Sequence, residues 1–276
     1  MPPRVTINPE LREWILATSC AGHAPRTVVE LMRSHGYDPQ QSRSIVAEVL
    51  NVPPTALLAD ATASTGRRTR HPEPPLAKAG GREVRVSASL DKPALRVLDG
   101  LLTGEECDEL IALARPRLAR ALTVDASGDH QVDYRRTSVG MFFKLGELPL
   151  VARLEQRIAE LFDIPVSHGE GLQILHYLPG QEYQPHFDWF DPDQPGYATI
   201  TARGGQRIAS VVMYLNTPEA GCGTAFPEAG LTVTALRGSA VYFAYEGGDA
   251  NSLHAGLPVL RGEKWIATKW LRERPY

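Results

Sequence analysis

Residues 172–188 have the sequence LQILHYLPGQEYQPHFD, which combines a strand pattern with two side chains that can bind a metal. The first seven of them, 172–178, are predicted to form a strand. Further along, His186 and Asp188 are two residues apart, and on an extended backbone such residues point to the same side. These two side chains can therefore share one ion.

The segments around this stretch predict an α+β domain. Beyond Gly171, further strands are expected over residues 207–216, 230–236, 238–245 and 263–272. Before it, an alternating strand begins at Val84, Thr103-Gly-Glu-Glu106 is a capping box that opens a helix, and apolar residues from Leu150 to Phe162 mark a second long helix. Helices followed by many strands of similar length indicate helices packed on a sandwich or jelly roll.

The N-terminal part of the chain is predicted to be a small helical domain, residues 1–55. Asn8-Pro9, Pro25 and Asp38-Pro39 are typical helix starts, and apolar residues follow each of them at helical spacing. Residues 56–83 are polar and rich in proline, so they cannot bury enough apolar surface to fold alone and are predicted to be a linker. The main domain is predicted to be residues 84–276.

The composition is that of an ordinary globular protein, with 43% hydrophobic residues and a formal net charge of −3. Lysines and arginines are scattered, so no surface for nucleic acid is indicated. The sequence has no secretory leader and no stretch suited to a bilayer, so we expect a cytoplasmic protein without a membrane partner. Cys20, Cys107 and Cys222 form no CxxC pair and are expected to be reduced apolar side chains. No pattern indicates an oligomeric state.

A third candidate ligand is His254, which lies in Ser252-Leu-His-Ala-Gly between two predicted strands. Two neutral imidazoles and one carboxylate form a three-point face that leaves three positions of a ferrous ion open, as oxygen chemistry requires. Zinc also accepts two histidines and a carboxylate, as in metalloproteases. The ligand types alone therefore leave a zinc hydrolase open.

Lys264, ten residues after His254, favours oxygen chemistry at a ferrous ion over a zinc hydrolase. In the last predicted strand it shares one face with Trp270, so it points into the barrel if that tryptophan packs inward. A buried ammonium group is costly unless it meets an anion, and the far end of a dicarboxylate bound to the metal would supply one. The alternative is that Lys264 extends to the barrel mouth and keeps its charge in water.

Several motifs occur in one order along the second half of the chain. They are His176-Tyr177-x-x-Gly180-Gln181-x-Tyr183-x-x-His186-x-Asp188, Gly205-Gln206-Arg207, Tyr214-Leu215-Asn216, Ser252-Leu-His254-Ala-Gly-x-Pro-Val and Gly262-x-Lys264-Trp-x-Ala-Thr-Lys-Trp270. Their order and spacing resemble the catalytic domain of prolyl 4-hydroxylases. The resemblance covers about residues 84–276.

This resemblance implies a double-stranded β-helix (jelly roll) with supporting helices and an Fe(II)- and 2-oxoglutarate-dependent dioxygenase. Such an enzyme hydroxylates an unactivated C–H with O2 and releases succinate and CO2, and ascorbate is a further cofactor that the resemblance allows. The Fe(II) ligands implied are His186, Asp188 and His254, and the residues implied to hold 2-oxoglutarate are Lys264, which would pair with the distal carboxylate, Tyr177 and Thr224.

The substrate implied first is a prolyl residue in a peptide or protein, and the alternative is a free amino acid or a natural-product intermediate. The positions that match the family's substrate contacts are Arg207, Tyr183, Trp270, Arg136 and Ser138. Structural alternatives exist for these positions: a surface ion pair for Arg207, core packing for the two aromatic residues and a strand-edge charge for Arg136. From other classes, a zinc hydrolase and a non-catalytic jelly-roll binding module stay open.

The sequence departs from the family in the loop Gly221-Cys-Gly-Thr224, where the family has Gly-Gly-Glu-Thr. The contacts of this loop with the co-substrate are therefore expected to differ. Residues 190–205 are expected to form a mobile lid over the substrate. Residues 1–55 lie outside the resemblance, and they either present a protein substrate or stabilise the barrel.

Overall fold

The computed structural model describes residues 7–20, 23, 25–52, 57, 69–120, 122–124, 130–132, 136–194, 196–245 and 249–276. The chain forms two compact units, Met1–Ala63 and Ser64–Tyr276. Within the described ranges, no helix combines the length and the apolar character needed to cross a membrane.

The N-terminal unit contains the three helices expected from the sequence: α1 (Pro9–Cys20), α2 (Pro25–Ser34) and α3 (Pro39–Leu50). The Asn8 side chain accepts a hydrogen bond from the backbone N–H of Glu10 (3.0 Å), which satisfies one free donor at the start of α1. The core of this unit is formed by the buried residues Ile15, Val28, Met32 and Val46.

The second unit contains helices α4 (Gly104–Ala114), α5 (Pro149–Phe162) and α6 (Tyr197–Thr201). Its strands are β1 (Leu76–Ala79), β2 (Arg82–Leu90), β3 (Ala94–Asp99), β4 (Ala119–Arg120), β5 (Leu122–Val124), β6 (His130–Val132), β7 (Val139–Phe143), β8 (Leu172–Tyr177), β9 (Tyr183–His186), β10 (Arg207–Tyr214), β11 (Ala220–Gly221), β12 (Thr224–Phe226), β13 (Leu231–Val233), β14 (Ala240–Ala244), β15 (His254–Gly256), β16 (Val259–Arg261) and β17 (Lys264–Arg272).

The predicted linker, residues 56–83, overlaps the second unit. Strand β1 lies inside it and pairs with β2, so that Ala77 is opposite Val84 and Ala79 is buried. The strand was missed because its four residues, LAKA, are short and weakly apolar and gain their pairing from the next strand rather than from their own pattern. The domain boundaries at residues 55 and 84 stay a prediction, and the division observed in the structure falls between Ala63 and Ser64.

The main sheet has nine strands in the order β1-β2-β3-β14-β10-β17-β8-β7-β4. One of its faces packs on α4 and α5, and the shared core includes Leu110, Leu154, Ile158, Val211 and Trp265. The N-terminus of α4 has the predicted capping box, in which Thr103 accepts from the N–H of Glu106 and the Glu106 side chain accepts from the N–H of Thr103. The apolar residues of the two predicted helices therefore form the helix faces that pack on the sheet.

A four-stranded sheet, in the order β13-β12-β15-β9, covers the opposite face of the main sheet. The two sheets meet through Tyr214, which donates to Thr224 Oγ1 (2.8 Å), and through Phe226 and Phe243, whose ring centroids are 5.0 Å apart. This is the jelly-roll arrangement of a double-stranded β-helix, as the sequence predicts. The space between the sheets receives side chains from both.

Strand β17 is buried along all nine of its residues, because helices cover one face and the small sheet covers the other. Lys264 and Trp270 share the face toward the small sheet, as predicted, whereas Trp265 belongs to the core with the helices. On the helical face lies Lys269, which donates to Glu155 Oε1 of α5 (2.6 Å) and to the carbonyl of Glu170. This buried ion pair joins the main sheet to α5.

We predict that Lys269→Met lowers the free energy of unfolding by about 3–5 kcal/mol, because it leaves the Glu155 carboxylate buried without its partner. Denaturant unfolding of the full chain measures this change. The double variant Glu155→Leu/Lys269→Met removes both charges and is expected to regain most of the loss. An exposed control pair is Lys78–Glu83 (3.8 Å), where Lys78→Met should change stability by less than about 0.5 kcal/mol. A loss under about 1 kcal/mol in Lys269→Met would contradict the role given to the pair.

Candidate active site

Three metal-ligating side chains converge between the two sheets. His186 ends β9, His254 begins β15, and the two residues are directly opposite each other in the antiparallel ladder. Asp188 follows two residues after His186, and its carboxylate oxygens lie 3.6 Å from Nε2 of each histidine. One ligand atom from each of the three residues lies within 4.8 Å of the others. Of the described part of the chain, this is the group that can hold a metal ion.

Both imidazoles are oriented by hydrogen bonds from the nitrogen that faces away from the group. His186 Nδ1 lies 2.8 Å from the carbonyl of Gln184, and His254 Nδ1 lies 3.0 Å from the carbonyl of Ser252. A carbonyl only accepts, so Nδ1 carries the proton and Nε2 presents its lone pair to the centre. Burial, together with the neighbouring His254, lowers the pKa of His186 to about 3. Its imidazole is therefore neutral at physiological pH, the form that binds a metal.

The Asp188 side chain is ionised although it is only 7% exposed. Burial alone would raise its pKa, but the positively charged Arg207 guanidinium and the hydrogen bond from Ser210 favour the ionised form, and the pKa is lowered to about 2. Ser210 Oγ donates to Asp188 Oδ2 (2.5 Å), and Tyr245 OH lies 2.7 Å from the same serine oxygen. Two neutral imidazoles and one carboxylate are the donor set that suits a ferrous ion with open positions.

Arg207 lies next to this centre and is held by Glu170, by the backbone of Asp188 and by the ring of Trp270. Its Nε and Nη2 donate to the two carboxylate oxygens of Glu170 (2.6 and 2.9 Å), and Nη1 donates to the carbonyl of Asp188 (3.2 Å). The guanidinium carbon lies 3.9 Å from the ring centroid of Trp270. The ion pair raises the pKa of Arg207 against the effect of burial. The predicted contact of Arg207 with substrate stays a prediction, and in the structure its donors serve Glu170 and the backbone of Asp188.

Lys264 is 1% exposed and lies on the face that looks into the space between the sheets. Its Nζ donates to the carbonyl of Gly223 (3.1 Å) and lies 5.2 Å from the ring centroid of Tyr177, the residue opposite it in β8. Among the described residues no carboxylate lies within ion-pairing distance of this ammonium group. Burial lowers the pKa of Lys264 to about 8. A buried cation without a counter-ion fits an anionic ligand.

The other two residues predicted for the co-substrate lie beside Lys264. Tyr177 is 2% exposed, and Thr224 begins β12 directly after Gly223 and accepts from the Tyr214 hydroxyl. The preceding residue, Cys222, has a left-handed backbone with φ of 54°, and its thiol, like those of the other two cysteines, is not in a disulfide. Burial raises the pKa of the Cys222 thiol. The loop that departs from the family therefore borders the lysine pocket.

Tyr183, one of the predicted substrate residues, lies against His186, and Arg136 lies against Tyr183. The Tyr183 ring stacks on the His186 ring with centroids 3.5 Å apart, and the Arg136 guanidinium lies 5.1 Å from the centroid of Tyr183. Arg136 donates to Gln173 Oε1 (2.7 Å) through Nη2. Its Nε, like Ser138 Oγ and Trp270 Nε1, is buried without a hydrogen-bond partner among the described residues. Buried donors without partners mark a surface that a ligand can complete.

The segment expected to be a lid, residues 190–205, contains the short helix α6. Its two ends are tied together by Gln206, whose side chain accepts from the N–H of Phe190 (2.9 Å) and donates to the Phe190 carbonyl (2.6 Å). The mobility of this segment stays a prediction. Its position next to Arg207 and Asp188 places it beside the metal-ligating group.

Comparison with known proteins agrees with this geometry. A sequence model of the 2OG-Fe(II) oxygenase superfamily matches residues 172–272, which contain all three metal-ligating side chains and Lys264. Probable prolyl 4-hydroxylase 10 of Arabidopsis thaliana is 40% identical over 209 residues, which cover 67% of this chain and 71% of the relative. Prolyl 4-hydroxylase 5 of the same plant is 39% identical over 203 residues, covering 65% and 68%. The chain belongs to the prolyl 4-hydroxylase family of 2-oxoglutarate–Fe(II) oxygenases.

A solved structure supports the same family. The viral collagen prolyl hydroxylase of Paramecium Bursaria Chlorella virus-1, in complex with 2-oxoglutarate, aligns with a TM-score of 0.51 and 28% identity over 64% of this chain and 95% of the viral chain. The protein is therefore a 2-oxoglutarate-dependent dioxygenase that uses Fe(II), 2-oxoglutarate and O2. The predictions of fold, of enzyme class and of Fe(II), 2-oxoglutarate and O2 are confirmed, and ascorbate stays a prediction. A zinc hydrolase and a non-catalytic binding module gain no support.

The sequence did not reveal the residues that orient Arg207 and Asp188 without being metal ligands themselves. Glu170 pairs with Arg207, Ser210 donates to Asp188 and Tyr245 bonds to Ser210, yet none of the three lies in a predicted ligand motif. The available signal was Ser210 itself, a polar residue inside the otherwise apolar run IASVVMY. A polar side chain in a doubly covered strand needs a partner, but the partner is chosen by the sheet packing.

Proposed function

We propose that this oxygenase hydroxylates prolyl residues in peptides, with Fe(II) held by His186, Asp188 and His254 and with 2-oxoglutarate anchored by Lys264. The observation that carries the proposal is the arrangement along β15. His254 lies at one end of this strand, and a Cβ built on Gly256 would lie 3.6 Å from Lys264 Nζ. Two residues of strand span about 6.6 Å, which suits a short dicarboxylate between the metal and the ammonium group.

The bound iron would couple the oxidative decarboxylation of 2-oxoglutarate to hydroxylation of a C–H bond, with succinate and CO2 as the other products. The chain's own residues prepare that step. Asp188 contributes the single negative charge among the three ligands, and the His186 imidazole stays neutral. Phe243 packs against His254 with ring centroids 4.6 Å apart and excludes water from that side. Lys264 balances the distal carboxylate, and Tyr177 and Thr224 line the same pocket.

We assign the substrate side to buried donors beside Tyr183 and Arg207. Arg136 Nε, Ser138 Oγ and Trp270 Nε1 have no protein partner among the described residues, and a peptide carries backbone carbonyls that accept from such groups. Tyr183 adds an aromatic surface for a pyrrolidine ring. The relatives named prolyl 4-hydroxylases support this substrate class. A free amino acid remains the alternative within the same chemistry.

The affinity for 2-oxoglutarate should depend on pH through Lys264, whose pKa is lowered to about 8 by burial. Below that pKa the ammonium is already present in the free protein. Above it the amine must first gain a proton, so the Kd for 2-oxoglutarate is expected to rise about 10-fold per pH unit. Calorimetric titration of the Mn(II)-loaded protein on both sides of the pKa measures this. 2-Oxopentanoate, which lacks the distal carboxylate, is the control and should show no such rise; equal profiles for the two acids would contradict the role of Lys264.

Turnover of a substrate panel tests the proposed reaction. The full chain is incubated with Fe(II), 2-oxoglutarate, ascorbate and either proline-containing peptides or free proline, and succinate is measured together with the mass increase of one oxygen atom. We expect succinate and hydroxyproline in equal amounts with a peptide and background amounts with free proline. Hydroxylation of the free amino acid alone would overturn the peptide assignment, and succinate without any dependence on Fe(II) would overturn the chemistry.

A further inference from the structure

The hydrogen bonds behind Asp188 run in one direction. An ionised carboxylate only accepts, so Ser210 must donate its one hydroxyl proton to Asp188 Oδ2 (2.5 Å). With that proton committed, the serine oxygen can only accept from Tyr245, whose hydroxyl lies 2.7 Å away. The sequence of donors is therefore Tyr245 to Ser210 to Asp188. Chains of this kind polarise each bond in the same sense and strengthen it.

This chain of donors ends at one oxygen of the Asp188 carboxylate, Oδ2, and does not reach the other oxygen, Oδ1. Among the described residues, Asp188 Oδ2 has the Ser210 hydroxyl as its partner, and no hydrogen bond reaches Oδ1. The backbone of the same residue is held separately, since its carbonyl accepts from Arg207 Nη1 (3.2 Å). With the main chain and one oxygen fixed, rotation of the carboxylate is restricted. Oδ1 lies 3.6 Å from His186 Nε2, and Oδ2, which already accepts from Ser210, lies 3.6 Å from His254 Nε2.

We propose that Ser210 and Tyr245 are positioning residues that hold Asp188 as a one-oxygen metal ligand. A carboxylate that bound through both oxygens would take an additional position on the ion, and a chelating co-substrate together with O2 needs three open positions. Hydrogen-bonded partners behind a metal ligand fix its orientation and add to metal affinity. This inference rests on the proposed role of Asp188 as a ligand, and it assigns to β10 and to the end of β14 a role that the metal-ligand motifs do not contain.

The test uses two single substitutions, each with a matched control. Ser210→Ala removes the inner hydroxyl, and Tyr245→Phe removes the outer one while keeping the ring. The controls are Ser239→Ala, a buried serine that donates to the carbonyl of Leu236, and Tyr242→Phe, a buried tyrosine of β14 whose hydroxyl bonds to Thr69. Both controls lose a buried hydroxyl without contact to Asp188.

Co(II) is the probe, added to the metal-free full chain. The Kd is measured by calorimetry and the coordination by visible absorption, and the unfolding temperature of the metal-free protein reports on packing. We expect Ser210→Ala to raise the Kd for Co(II) about 10-fold. Tyr245→Phe should raise it about 3-fold. Both variants should shift the Co(II) absorption bands, whereas both controls should leave the bands and the Kd as in the wild type.

The possible results separate a positioning role of the two hydroxyl groups from a packing role. Wild-type Kd and wild-type bands in Ser210→Ala, or tighter Co(II) binding, would overturn the positioning role and leave the proposed function standing. A wild-type protein that binds no Co(II) would overturn the proposed metal site and the positioning role together. A fall in unfolding temperature with unchanged Co(II) bands would show that the two hydroxyl groups serve packing alone.

Discussion

Asp188→Asn is expected to reduce succinate release by about 10³-fold or more, because several kcal/mol of charge stabilisation at the metal are lost with the carboxylate. Asparagine has nearly the same shape and can still accept from Ser210, so the hydrogen bond behind the ligand is kept. What disappears is the single negative charge among the three ligands. The pKa of Asp188, about 2, shows that this charge is present throughout the physiological pH range.

The fold should survive this substitution. We expect the free energy of unfolding of the metal-free variant to fall by no more than about 3 kcal/mol, since the lowered pKa means that the charge contributes stability at neutral pH, while asparagine keeps the size of the side chain and its donor. Succinate release is measured at saturating 2-oxoglutarate and peptide. Asp91→Asn, at an exposed aspartate in the second unit, is the control and should keep full activity. Wild-type turnover in Asp188→Asn would contradict the ligand assignment.

Lys264→Met is expected to raise the Kd for 2-oxoglutarate by about 100-fold, equivalent to about 2.8 kcal/mol, because the distal carboxylate is left buried without its cation. Methionine fills a similar volume without the charge. In the absence of co-substrate the wild-type ammonium has no carboxylate partner among the described residues, and burial opposes its protonation, as the lowered pKa shows. The metal-free Met variant should therefore be at least as stable as wild type at neutral pH.

Lys264→Met is expected to weaken the binding of 2-oxoglutarate without lowering the stability of the metal-free protein. This combination separates a ligand-binding role of Lys264 from a structural one. Binding is measured by calorimetry on the Mn(II)-loaded protein, with 2-oxopentanoate as the matched ligand that lacks the distal carboxylate. The variant should bind the two acids with similar affinity, while wild type should prefer 2-oxoglutarate. The exposed Lys144→Met serves as the control for loss of one positive charge. A Met variant that kept the preference for the dicarboxylate, or that unfolded, would contradict the assignment.

The sequence predicted those parts of the molecule that local patterns determine. Helix starts at Pro9 and Pro25, the capping box at Thr103 and the strand alternation around Lys264 depend on neighbouring residues, and the structure confirms them. The pair His186 and Asp188 was predicted from the spacing of extended backbone, although Asp188 lies in a bend just beyond β9. His254 was a candidate ligand from its place between two predicted strands, but its position opposite His186 depends on pairing between distant strands.

Features that depend on distant partners were missed. Lys269 looked like an ordinary strand residue, yet it forms a buried ion pair with Glu155, 114 positions earlier in the chain. Arg207 was expected to contact substrate, and only the folded arrangement shows its bidentate pair with Glu170. Strand β1 was hidden in a stretch with linker composition. In each case the deciding energy comes from contacts formed by the tertiary fold, which no local window contains.

A crystal structure of the protein with Mn(II), as a redox-stable substitute for Fe(II), and 2-oxoglutarate tests the site most directly. We predict one anomalous peak bonded to Nε2 of His186, Nε2 of His254 and one oxygen of Asp188, with the far carboxylate of the co-substrate against Lys264 Nζ. A metal bound elsewhere, or a co-substrate whose distal carboxylate avoids Lys264, would contradict this prediction.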